Sequence, residues 1–96
     1  MTGEQINGLK TIIRQHTVRE QELQTVKETT ELADAIFRFQ DKKVGLDKVV
    51  DELADVLIMC NQLIIIHQCR ETVEQRIDYK IARQIARDRK ENNYED

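Results

Sequence analysis

Residues 18–40, VREQELQTVKETTELADAIFRFQ, and 47–67, DKVVDELADVLIMCNQLIIIH, decide the fold. Neither stretch contains proline or glycine, and both are rich in Leu, Glu, Lys, Gln, Arg and Ala, which favours helix. On a wheel of 100° per residue, Leu32, Ala35, Ile36 and Phe39 form one apolar stripe of the first stretch. Leu23, Val26, Ala33 and Phe37 form a second on the far side. The other stretch is apolar nearly all round from Val56 to Ile66, interrupted by Asn61 and Gln62. The six residues Asp41 to Leu46 between them are few enough to make the two helices antiparallel neighbours.

Working outward, three starts share the capping-box pattern of Thr followed three residues later by Glu or Gln: Thr2–Gln5, Thr17–Glu20 and Thr72–Gln75. Asp47, just past Gly45, supplies a fourth cap. The expected helices are about 3–15, 18–40, 47–67 and 72–90, with the polar tail from Arg89 to Asp96 fraying. The fold class is therefore all-α, in a single domain of 96 residues. Helices apolar on two faces must bury both, and a second subunit is the simplest cover, so the expected assembly is an oligomeric helical bundle.

Composition narrows the function. Fifteen basic against 18 acidic residues give net −3, and only 4% of residues are aromatic. That argues against a nucleic-acid partner, which would want a basic field or stacking rings. The longest apolar run, eleven residues, is short of the roughly 20 that span a bilayer, so no membrane partner is expected. Two cysteines, Cys60 and Cys69, are too few for a disulfide framework and fit a reducing cytoplasm, as does the lack of an apolar leader. No nucleophile elbow, glycine-rich phosphate loop or H-E-x-x-H zinc motif occurs.

The chemistry-bearing residues are acids in unexpected places. Glu28 and Glu31 are spaced i, i+3 along the Leu32–Ala35–Phe39 stripe. Glu52 and Asp55 repeat the spacing along the stripe of Val56, Met59, Leu63 and Ile66. Antiparallel packing with axes about 8–10 Å apart brings all four together. Each like-charge pair at 4 Å then costs roughly 4 kcal/mol at an effective dielectric near 20. Such a cluster persists if partly protonated, paired with cations, or bound to a metal. Four oxygen donors favour a hard cation, Mg2+ or Mn2+. The plainer alternative is ordinary surface acids, common in a chain with 34% charged residues. On the last helix Val73, Ile77, Ile81 and Ile85 make a narrow apolar stripe. Arg76, Lys80, Arg83 and Arg87 flank it, a row suited either to phosphates or to acids of a neighbouring helix.

The segments QELQTVKETTEL (21–32) and DELADVL (51–57) together resemble the MazG-like all-α nucleoside triphosphate pyrophosphohydrolases, whose pattern is E-E-x-x-E, a gap, then E-x-x-D on two antiparallel helices. The resemblance spans about residues 18–87. It implies a MazG-like four-helix arrangement and Mg2+-dependent cleavage of a nucleoside or deoxynucleoside triphosphate to the monophosphate and pyrophosphate. Glu28, Glu31, Glu52 and Asp55 would be the metal ligands, with Glu28 or Glu31 as the catalytic base. Gln21, Lys80 and Arg83 would contact substrate, and the assembly would be a homodimer or homotetramer. Two positions depart from the pattern: Lys27 replaces its first Glu, and Gln84 follows the K-x-x-R where relatives commonly carry Asn. Lys27 favours an alternative, a non-catalytic oligomeric interaction module that keeps the fold.

Overall fold

The computed structural model describes residues 1–95, with side chains placed through Asn92. Those residues form four α-helices and no strand: α1 (Gly3–Arg14), α2 (Val18–Gln40), α3 (Leu46–Ile66) and α4 (Arg70–Glu95). The all-α expectation holds. Thr2 closes a complete capping box with Gln5, its hydroxyl accepting from the Gln5 N–H at 3.1 Å while Gln5 Oε1 accepts from the Thr2 N–H at 2.8 Å. Thr17 makes half of one. Its hydroxyl accepts from the Glu20 N–H, but the Glu20 carboxylate turns to His16 Nδ1 at 3.1 Å and the Thr17 hydroxyl at 3.2 Å.

The other two expected caps are not formed. Gly45 is the N-cap of α3 without a side-chain bond, and Asp47 lies inside the first turn, where its charge complements the helix dipole. Thr72 lies inside α4, because the Cys69 carbonyl already accepts the Val73 N–H at 2.9 Å. The cause is how α3 ends. Gln68 adopts a left-handed φ of 50°; its N–H bonds the Ile65 carbonyl, and the Cys69 N–H bonds that of Ile64. This pair of bonds, a Schellman close, reverses the chain in three residues and hands it straight to α4. At its other end α4 runs through the polar segment expected to fray, as far as Glu95. Asp96 lies outside the described residues.

The α2–α3 hairpin is the body of the fold. It too turns on a Schellman close, with Lys42 at φ 61° and the Lys43 N–H on the Arg38 carbonyl at 2.8 Å. Gln21, early in α2, meets Gln62, late in α3, while Glu31 meets Glu52 nearer the turn, so the two helices run antiparallel. α1 lies against α3, anchored by the buried Leu9. Among the described residues the buried apolar side chains are few: Leu9, Ala35, Val49 and Met59. α4 projects as an arm, every residue from Glu74 to Asn92 being exposed. The radius of gyration is 17.1 Å, against about 12.5 Å for a compact chain of this length. The accessible surface is 7763 Å2, against roughly 5,700 Å2 for a typical monomer of 11.3 kDa. Part of the excess is apolar: Leu23, Val26 and Phe37 of the second α2 stripe are 56, 62 and 68% exposed.

Lys42 in the left-handed region bears a cost of about 1 kcal/mol that glycine avoids. Lys42→Gly is expected to stabilise the protein by up to that amount, read as a rise in the denaturation midpoint; a fall would mean that the Lys42 side chain stabilises the turn.

Candidate metal centre

Heptad-like inward spacing and antiparallel register together bring acids of α2 and α3 face to face. One carboxylate oxygen from each of Glu28, Glu31 and Glu52 lies within 4.8 Å of the others. Glu52 is buried at 5% exposure, Glu28 is half-buried, and Glu31 sits at the exposed edge. Glu28 Oε1 accepts from Gln24 Nε2 at 2.7 Å, and Glu52 Oε1 accepts from Lys48 Nζ at 2.8 Å. Their second oxygens, Glu28 Oε2 and Glu52 Oε2, are buried with no hydrogen-bond partner. Leaving a buried acceptor unmatched costs about 1–3 kcal/mol, and more when it is charged. Two such atoms beside a three-carboxylate convergence fit a hard cation, whose shell they would complete.

Asp55, one helical turn beyond Glu52, stands outside that group and is exposed. It still feels the cluster: desolvation first, then the charges of Glu28, Glu52 and Asp51, raise its pKa above 3.8. Glu31 is raised above 4.5 for the same reasons, desolvation and then Glu28. The acids meet two nearby lysines. Glu52 holds the Lys48 ammonium and raises its pKa, and Lys27 partly offsets the repulsion at Glu31.

Two concavities open along α2, the first of them lined by clustered acids. One, of about 530 Å3, is lined by Thr30, Glu31, Asp34, Lys48 and Glu52. The other, of about 630 Å3, lies between α1, α2 and α3; its walls include Ile12, Leu23, Met59 and Lys27. On its floor Gln21 Nε2 donates to Gln62 Oε1, and both side chains are buried. Gln21 is thus committed to a buried amide pair at the groove rather than free in solvent. Gln62 and Lys48 were not singled out as site residues in the sequence. The signals were a polar residue inside the apolar run, and a Lys four residues before Glu52. Lys80 and Arg83 are elsewhere, exposed on the α4 arm. There the guanidiniums of Arg76 and Arg83 lie over the Tyr79 ring at 4.9 and 5.7 Å. A single chain therefore gathers Glu28, Glu31 and Glu52, leaves Asp55 and Gln21 outside that group, and keeps the basic row on the α4 arm.

No helix of the described residues is long and apolar enough to cross a membrane. No protein-family model, curated protein or solved structure matches the chain.

A carboxyl whose folded pKa is raised binds its proton more tightly folded than unfolded. Between the ordinary value and the raised one, stability therefore falls as pH rises. Glu20, whose pKa is lowered chiefly by its bond to His16, runs the other way, and its contribution is lost only below 4.5. Without metal, the melting temperature should therefore fall as pH is raised from 4.5 through the raised pKa of Glu31. Millimolar Mg2+ or Mn2+ should raise it and remove that slope, because the ion binds only the folded state. Glu52→Gln should abolish the metal response and leave the metal-free protein at least as stable. Melting curves unmoved by either ion would mean that the orphaned oxygens hold no cation.

Proposed function

We propose that this protein is a metal-dependent nucleoside triphosphate pyrophosphohydrolase that works as a homo-oligomer. The observation that carries the proposal is the pair of buried, unpartnered carboxylate oxygens on Glu28 and Glu52 at the meeting point of three acids. Oxygen donors alone suit Mg2+ or Mn2+, the cations that accompany phosphate substrates. The order E-x-x-E, then E-x-x-D, on antiparallel helices adds the resemblance to MazG-like enzymes, and with it a cut between the α and β phosphates.

Bound Mg2+ would neutralise phosphate charge and lower the pKa of the attacking water, leaving a carboxylate to accept its proton. The protein's own residues do the rest. Glu28, Glu31 and Glu52 would hold the ion, and Asp55, from the exposed side, would complete the set. Glu31, exposed at the edge and raised in pKa, would take the proton of the attacking water, with Glu28 as the alternative acceptor. The nucleoside end would lie in the groove floored by Gln21 and Gln62. Lys80 and Arg83 would stabilise the leaving pyrophosphate. Since one chain does not bring them to the acids, their role calls for a second copy.

The second copy has independent support. The accessible surface exceeds that of a typical monomer by roughly 2,000 Å2. A standard interface takes about 800 Å2 from each partner. Charge agrees as well: residues 1–75 carry 9 basic and 13 acidic side chains, whereas residues 76–92 carry 6 and 3. The acidic body of one copy thus attracts the basic arm of another. The second reading, a non-catalytic oligomeric module, is favoured by Lys27, which lines the groove where the family pattern has an acid.

Light scattering at micromolar concentration should report a dimer or tetramer, and Phe37→Glu should weaken it; a stable, well-folded monomer would overturn the oligomer. Incubated with a triphosphate panel and Mg2+, the protein should release pyrophosphate. Asp55→Asn should abolish release, since a neutral amide is a poor Mg2+ ligand. Lys80→Ala should lower kcat/KM on the order of 100-fold with metal binding intact. Arg89→Ala, placed away from the basic row, should leave both unchanged. Equal behaviour of Lys80→Ala and Arg89→Ala would remove the basic row from the site. No release from any triphosphate would favour the interaction module.

A further inference from the structure

Among the described residues, Lys48 is the one cation hydrogen-bonded to any of the four candidate ligands, its Nζ standing 2.8 Å from Glu52 Oε1. The partners are unlike. Glu52 is fixed and buried, with its other oxygen orphaned, whereas the Lys48 side chain is 54% exposed and lines the 530 Å3 groove with Thr30, Glu31 and Asp34. Asp34, on the same groove, is already engaged by the Arg38 guanidinium at 2.9 Å.

We infer that Lys48 is a built-in counter-ion of the carboxylate centre, which it leaves for substrate phosphate when a divalent cation binds at Glu52. An ammonium and a divalent ion on one carboxylate repel each other, and the ammonium, on a flexible four-carbon stem, is the partner able to move. Nothing rigid holds it, since Glu52 is its sole hydrogen-bond partner. The groove into which it would move otherwise presents Glu31, Asp34 and Glu52, an acidic lining that repels a polyphosphate. Lys48 is the groove's own positive charge. It therefore competes with the metal and cooperates with the anion, opposite effects that a purely structural lysine does not have. The inference rests on the pyrophosphohydrolase proposal for its second half only.

The test uses the full-length protein and two variants, Lys48→Met and Lys48→Arg. Calorimetry measures Mn2+ binding first, then inorganic pyrophosphate binding in saturating Mn2+; melting curves confirm that each variant folds. Lys48→Met should bind Mn2+ about tenfold more tightly, through loss of the competing charge, and pyrophosphate about tenfold more weakly. Lys48→Arg should stay close to wild type in both. Unchanged or weaker Mn2+ binding by Lys48→Met would overturn the counter-ion role. Tighter Mn2+ binding with unchanged pyrophosphate binding would overturn the transfer to phosphate. Wild-type protein that binds Mn2+ but no pyrophosphate would instead overturn the pyrophosphohydrolase proposal and the transfer with it, while the Mn2+ comparison would still decide the counter-ion role.

Discussion

Two helices packed against each other normally seal their seam with hydrocarbon, and α2 and α3 place carboxylates in part of theirs. Glu28 and Glu52 each satisfy one oxygen through a residue four positions earlier in their own helix, Gln24 and Lys48 respectively, and leave the other buried without a partner. The seam cannot slide to relieve this. A shift of α3 would also separate Gln21 from Gln62, the second polar pair buried between the same two helices. Polar matching at one end and carboxylate repulsion at the other therefore share one register. A hairpin whose only task was to be stable would place leucine at both levels, since replacing both partners of a buried polar pair with apolar groups is often close to neutral.

That register was legible in the sequence where it rested on periodicity. The spacing of Glu28 and Glu31 along the Leu32–Ala35 stripe, and of Glu52 along the Val56–Met59 stripe, placed three acids on facing seams, where they are found. Asp55 was placed less well, because it lies at the margin of the α3 stripe, where a modest helix rotation separates half-buried from exposed. The starts of α3 and α4 were misread for a related reason. Capping patterns describe a helix beginning from free chain, whereas α4 begins directly from the Schellman close of α3 at Gln68 and Cys69. Gln is an uncommon residue at that left-handed position, so no composition signal marked it.

The Gln21–Gln62 pair shows a second limit. An apolar run interrupted by one polar residue can be read as a core with a solvent-facing exception, and only the three-dimensional partner shows that Gln62 is 1% exposed. Pairing across 41 residues leaves no local pattern. By contrast, the Lys48–Glu52 and Gln24–Glu28 contacts are i, i+4 neighbours, available to anyone who asks which side chains can reach an inward acid along its own helix.

Among the described residues, the α4 arm is the part of the chain left without a packing partner. A 26-residue helix extends about 39 Å, yet beyond its first turn it buries none of its side chains through Asn92, although Ile77, Ile81 and Ile85 keep an apolar line along it. An isolated helix of this kind gains little from propensity alone, because most helical stability in proteins comes from packing an apolar face. Over residues 76–92 the arm has 6 basic against 3 acidic side chains, while the hairpin holds most of the chain's acids. Covering the line of isoleucines and neutralising the acids are thus two needs that one contact between copies can meet. A single copy meets neither need, so under the proposed assembly one association step would cover the isoleucines and bring the basic row to the acids.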